Sequence, residues 1–180
     1  KPIISDAANG SKALMQGNDG TLGTSTTGVA PGGWRVRSLE ATLNVVSALV
    51  SESPNSSNRL LQCTCTSGVA GGVVAIDLSS TITFASMGWE IGDSLQVFAD
   101  FELVSGSVTI VEGMVYFIGS NRRGQVFFPP DVSRSLRVSA PIEIIAADTG
   151  TRAQLYVTLP ASSSAVFRIG FFGIRKVPGI

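Results

Sequence analysis

Asp100 and Glu102 stand two residues apart in a stretch that reads as a β-strand, and they open the search for chemistry in this chain. Same-face neighbours on a strand lie about 7 Å apart, near the separation used by carboxyl pairs that cleave glycosidic bonds. Such pairs, however, flank a bound sugar from different strands. Two acids on one outward face read more simply as a solvated sheet surface. Glu112, set mid-strand among apolar residues, is the more unusual acid, because burial there demands a partner such as an arginine or a raised pKa. Sugar binding without cleavage asks for flat aromatic rings to meet C–H groups, with polar groups for the hydroxyls. Trp34, Trp89, Tyr116 and Tyr156 are the aromatic candidates. Trp34 closes a glycine-rich loop and Trp89 precedes a turn, and both read more simply as core packing, whereas Tyr156 is read as pointing outward. The expected ligand-binding set is therefore Trp89, Tyr156, Tyr116, Trp34, Asp100 and Glu102, with no catalytic residue assigned.

Other chemistries are excluded by residue type. The 180 residues include no histidine, which removes Ser-His-Asp and Cys-His catalysis and the commonest transition-metal ligand. Asn18-Asp19-Gly20 and Asp148-Thr149-Gly150 offer oxygen ligands for calcium but read as turns, so no metal and no cofactor is expected. Cys63 and Cys65 point to the same side of a strand, too close along the chain for an unstrained bridge, and read as small core residues. Lys plus Arg and Asp plus Glu each number 13, giving a formal net charge of zero. Apart from Arg122-Arg123 and Arg175-Lys176 the basic residues are scattered, so nucleic acid is not an expected partner. No apolar run reaches the roughly 20 residues of a membrane-spanning helix. The chain starts at Lys1, with no signal-peptide pattern, and is expected to be a piece of a longer polypeptide.

The elements that must position these residues are strands. In residues 94–103, Leu95, Val97, Ala99, Phe101 and Leu103 alternate with Ser94, Gln96, Asp100 and Glu102, a period of two with Phe98 as the exception. Residues 108–118 are apolar on both faces, and Gly106 between serines predicts a turn, so the two arms are expected to pair as an antiparallel hairpin. Further strands are read at 34–37, 42–50, 60–66 (Leu61, Cys63 and Cys65 on one face), 73–78, 125–128 and 153–159. Leu136, Val138, Ala140, Ile142, Ile144 and Ala146 alternate, with Pro141 marking an edge or bulge. In the last strand, 166–177, the parity slips around Phe172-Gly173 and predicts a bulge. Residues 1–12 read as a linker, 13–16 as a short first strand, and 13–180 as one domain. The fold class is all-β, a jelly-roll sandwich of about eight to ten antiparallel strands.

Three stretches also carry a resemblance. They are 13–36, from Ala13-Leu14-Met15-Gln16-Gly17-Asn18-Asp19-Gly20 to Gly32-Gly33-Trp34-Arg35-Val36; Gly92-Asp93-Ser94-Leu95-Gln96-Val97; and Phe167-Arg168-Ile169-Gly170-Phe171 with Arg175-Lys176-Val177. Together they resemble the carbohydrate-binding-module-like jelly-roll domains at the C-terminal end of bacteriophage tail fibre and tailspike proteins. The resemblance implies a non-catalytic receptor- or glycan-binding domain of the virion, extracellular and homotrimeric, with a cell-surface polysaccharide as partner. Two alternatives stay open: a structural trimerisation or virion-surface domain without ligand, and a glycoside hydrolase or lyase using Asp100, Glu102 or Glu112. Outward aromatics such as Phe98 suit a subunit contact as well as a sugar.

Overall fold

The computed structural model describes residues 18–55, 59–129 and 134–177. The linker at 1–12 and the first strand at 13–16 lie outside the described residues. In chain order the strands are β1 (Thr21–Leu22), β2 (Thr26–Gly28), β3 (Trp34–Ser38), β4 (Asn44–Ser51), β5 (Arg59–Thr66), β6 (Gly72–Leu78), β7 (Ser94–Gly106), β8 (Ile110–Ile118), β9 (Arg123–Phe128), β10 (Ser135–Val138), β11 (Ile142–Glu143), β12 (Gly150–Leu159) and β13 (Ser164–Lys176), with one helical turn, α1 (Phe84–Met87), before β7.

Two sheets stack face to face. A 6-stranded sheet runs β1-β3-β6-β12-β8-β9 and a 7-stranded one runs β10-β7-β13-β5-β4-β2, with β11 also on β7. This is the all-β sandwich that the alternation implies, with one amendment: β1 pairs with β3 and β2 with β4 in parallel, so the pairing is mixed. Strand interiors alternate as read. In β12 the buried Ala153, Leu155, Val157 and Leu159 alternate with half-buried Arg152, Gln154, Tyr156 and Thr158. In β5, Leu61, Cys63 and Cys65 are fully buried. Phe101, Phe117, Phe167 and Phe172 fill the space between the sheets, and the Trp34 ring lies 4.7 Å from that of Phe172.

The expected hairpin does not form. β7 bonds to β13, β10 and β11, while β8 bonds to β12 and β9, so the two arms belong to opposite sheets. The link at 107–109 crosses the end of the sandwich, with Val108 buried within it. Gly106 has φ +84° and lies against Ser164, where a Cβ would sit 2.0 Å from the Ser164 carbonyl oxygen. Its left-handed backbone ends a strand that pairs with β13 and does not close a two-strand ribbon. A strand switching sheets carries the same local signals as a hairpin, and only the partners differ.

Phe98 also departs from expectation. It does face outward, yet it is 4 % exposed, because its ring covers Gly173 on β13, with the Arg175 guanidinium 5.9 Å from its centroid. The parity slip in the last strand is present as register shifts, one of them between Ile169 and Phe172, which turns Phe172 inward. The 136–146 alternation is split at the proline into β10 and β11. Between them Ser139 continues the ladder, donating its N–H to the Val97 carbonyl at 2.9 Å and accepting the Val97 N–H on its hydroxyl at 3.0 Å. Leu136 therefore stands 62 % exposed on an edge strand.

Both cysteines are free and buried. Burial pushes the Cys65 thiol up to about 12, and burial together with Cys65 raises Cys63 well above its ordinary range. Since the thiolate is the nucleophile, neither thiol is expected to react with a disulfide reagent at pH 8 in the native protein. Both should react at the rate of global unfolding; rapid native labelling would contradict this placement.

Candidate functional site

The sequence-derived candidates separate into three locations. Trp34 and Trp89 are 5 % and 3 % exposed, so neither ring presents a face to solvent, and the Trp89 indole N–H has no hydrogen-bond partner among the described residues. Asp100 and Glu102 lie on the outer face of the 7-stranded sheet. In place of a solvated surface, Asp100 is 4 % exposed. Arg134 Nε donates to its two oxygens at 3.2 and 2.9 Å, and Arg134 also pairs with Glu52 at 2.6 Å. Gly170 supplies the room, because a Cβ there would sit 2.8 Å from both Asp100 Oδ2 and Arg134 Nη2. Glu102 stays half-buried, 3.9 Å from Arg168, which in turn donates to Gln62 at 2.8 Å. Tyr116 and Tyr156 lie on the other side of the molecule, together.

Those two tyrosines define the most functionally suggestive surface, the outer face of the 6-stranded sheet. β12 sits in its middle, antiparallel to β6 and to β8. The ladders align side chains into rows. One row reads Arg35, Asp77, Gln154, Met114, Gln125; the next reads Arg37, Ala75, Tyr156, Glu112, Phe127; a third reads Arg152, Tyr116, Arg123. Adjacent members of a row are cross-strand neighbours about 5 Å apart. Tyr156 stands opposite Glu112 and Tyr116 lies four residues further along β8, so the two rings are spaced by about 14 Å along the strands.

The platform has a fixed floor. Asp77 is fully buried although it faces outward. Arg35 Nε and Nη2 donate to its two oxygens at 3.0 and 2.7 Å, and Arg37 Nη2 donates at 3.1 Å. Arg35 is held more firmly protonated than usual, first by its hydrogen bonds to Asp77. Met114 and Ala75, also outward, are 2 % and 0 % exposed beneath their row neighbours. Glu112 is half-buried, and its partner is the Gln125 amide rather than an arginine.

The Tyr116 end is anchored from the side. Its hydroxyl donates to the Asn121 side-chain oxygen in the β8–β9 turn. That turn is tied down by buried Asp148, which accepts from the Ser120 hydroxyl, from Arg122 Nη2 at 2.5 Å and from the Ile145 N–H at 2.9 Å. Burial pushes the Asp148 carboxyl up, but these donors outweigh it and hold it below the ordinary aspartate value. The Asp148-Thr149-Gly150 stretch is thus a turn with an ion pair. Among the described residues no cluster of three or more His, Cys, Asp or Glu is placed to hold a metal ion.

Sequence reasoning named the two tyrosines and singled out Glu112, but missed the rest of their surroundings: Arg35, Arg37, Asp77, Gln125, Phe127, Gln154, Arg123 and Arg152. The signal for β3 and β12 was present, as arginine, glutamine and tyrosine at alternate positions. The register that gathers five strands into rows was not.

No protein-family model matches the chain, and no curated protein matches it in sequence. In fold it is similar to solved structures. Carbohydrate-binding modules from the beta-sandwich superfamily, described for their promiscuous specificity, align with a TM-score of 0.59 at 10 % identity, over 80 % of this chain and 57 % of that one. The enzymatically active domain of Bacteriophage CBA120 tailspike protein 4 aligns with a TM-score of 0.51 at 10 % identity, over 81 % of this chain and 20 % of that one. An exo-beta-agarase aligns with a TM-score of 0.53 at 10 % identity, over 83 % and 24 %. The chain spans little more than half of the first and a quarter or less of the others. At such identities the likeness is one of β-sandwich fold.

Because the fully buried Asp77 is the one carboxylate bonded to both Arg35 and Arg37, Asp77→Ala leaves the two guanidiniums without that shared counter-charge. The expected cost is about 3–5 kcal/mol in urea unfolding. A loss below about 1 kcal/mol would show that the ion pair does not hold this face.

Proposed function

We propose that this chain is a non-catalytic glycan-binding module whose binding surface is the outer face of the 6-stranded sheet. The observation that carries the reading is the gathering of Tyr116 and Tyr156, on adjacent strands, among arginine, glutamine and glutamate side chains in one set of cross-strand rows. Two ring faces spaced along one direction suit an extended sugar chain, and the polar row members supply donors and acceptors for its hydroxyls. Phe127, 55 % exposed at the end of the Tyr156 row, widens the apolar part. The β-sandwich likeness supports the reading, since the first of those solved structures is described as a carbohydrate-binding module. Trp34, Trp89 and Asp100 are left out of the proposed site because they are buried, and Glu102 because it faces away.

The finer part of the proposal is the setting: a receptor-binding domain of a phage tail fibre or tailspike protein, extracellular and homotrimeric, recognising a cell-surface polysaccharide. A tailspike structure of which one part is similar in fold and the sequence resemblance support it. A structural role in subunit contact is the second reading, favoured by Leu136 and Val138 (62 % and 37 % exposed) on edge strand β10. A hydrolase or lyase fits less well. Asp100 and Glu102 lie on one sheet and Glu112 on the other, and Asp100 is neutralised by Arg134, so these acids do not flank one sugar.

On a glycan array the protein should retain a defined class of polysaccharide. Tyr156→Ala and Tyr116→Ala should each weaken that binding about tenfold, or about 1.4 kcal/mol, with an unchanged circular dichroism spectrum. Full affinity in both variants would move the site elsewhere.

A further inference from the structure

The charges on the platform are unevenly spread. In the rows around Tyr156, Arg35 and Arg37 both bond Asp77 and Glu112 stands opposite Tyr156, so that half counts two arginines and two acids. In the Tyr116 row both flanking residues are arginines, Arg152 from β12 and Arg123 from β9. Among the described residues, no carboxylate lies within ion-pair distance of either. Arg152 spends its Nε donor on the Thr81 hydroxyl at 3.1 Å, leaving its terminal nitrogens unassigned, and Arg123 lies with its guanidinium carbon 5.9 Å from the Tyr116 ring centroid. The face as a whole therefore carries four guanidiniums against two carboxylates, in a chain whose net charge is zero.

We infer that the Tyr116 end of the platform selects an anionic sugar, its acidic group held between Arg123 and Arg152 while its ring lies against Tyr116. Guanidinium forks match a carboxylate or sulfate in pairs of parallel hydrogen bonds, and each contact is stronger than a bond to a neutral hydroxyl. The Tyr116 hydroxyl, already bonded to Asn121 in the β8–β9 turn, fixes the ring, so the arginines are the adjustable part. The balanced Tyr156 end then takes a neutral or hydroxyl-rich portion of the same chain. The ligand class is an acidic polysaccharide. This rests on the glycan-binding reading above and adds its charge.

The test is affinity electrophoresis of the 180-residue protein through gels containing polygalacturonate, a sulfated galactan, neutral galactan or neutral xylan. Retention by a charged polymer is expected to exceed that by either neutral one, and to fall about tenfold between low salt and half-molar salt as screening takes hold. The double variant Arg123→Ala/Arg152→Ala should lose about tenfold in affinity with an unchanged melting curve. Arg137→Ala/Arg168→Ala, which removes the same charge from elsewhere, should bind as the parent does. Preference for the sulfated polymer over the polyuronate supports the anionic platform and names its anion as sulfate. Salt-independent binding of neutral galactan or xylan, untouched by the Arg123/Arg152 pair, overturns the inference and leaves the glycan platform standing. Retention by none of the four polymers overturns both.

Discussion

The register of β12 is the constraint on which the rest of this structure hangs. It is hydrogen-bonded on both sides, to β6 from Gln154 to Leu159 and to β8 from Gly150 to Thr158. A slip of one residue would exchange Leu155 for Tyr156 at the core, and the apolar set would lose its buried area all at once. The buried Ala153, Leu155, Val157 and Leu159 therefore fix the register, and the register decides which side chains share the outer face. The site is a by-product of core packing: the same alternation that hides leucines gathers tyrosines and arginines outside.

Polar groups refine what packing sets. Buried charge tolerates only close partnership, and each such case here joins separate strands or turns. Arg35 and Arg37 on β3 reach Asp77 on β6; Arg122 after β8 reaches Asp148 before β12; Arg134 before β10 reaches Asp100 on β7. The first two hold the floor and one end of the platform. The third plugs the opposite sheet over Gly170, which leaves the Asp100 carboxylate buried and paired.

What could be read from residues alone was whatever depends on the parity of one strand. The inward sets of β5, β12 and most of β7, the edge nature of the Pro141 region and the bulge near Phe172 all follow from a period of two and from proline and glycine chemistry. What depends on partners could not be read. β7 and β8 look like a hairpin because each is a good strand and Gly106 is a good turn residue, yet they lie in different sheets. Phe98 and Asp100 occupy outward positions but are buried, because Gly173 and Gly170 of β13, some 70 residues away in sequence, leave room above them. Tyr116 and Tyr156 were legible as candidates one by one. Their neighbourhood, supplied by five strands spread from residue 35 to residue 158, was not.

The account turns on where a sugar chain meets this surface, and nuclear magnetic resonance reads that directly. Backbone amide shifts followed during titration with an oligogalacturonide should move on β8, β9 and β12 around Glu112, Tyr116, Arg123, Arg152 and Tyr156. Residues of the opposite sheet around Gln62, Arg134 and Arg168 should stay still. Shifts confined to that opposite sheet would contradict the account.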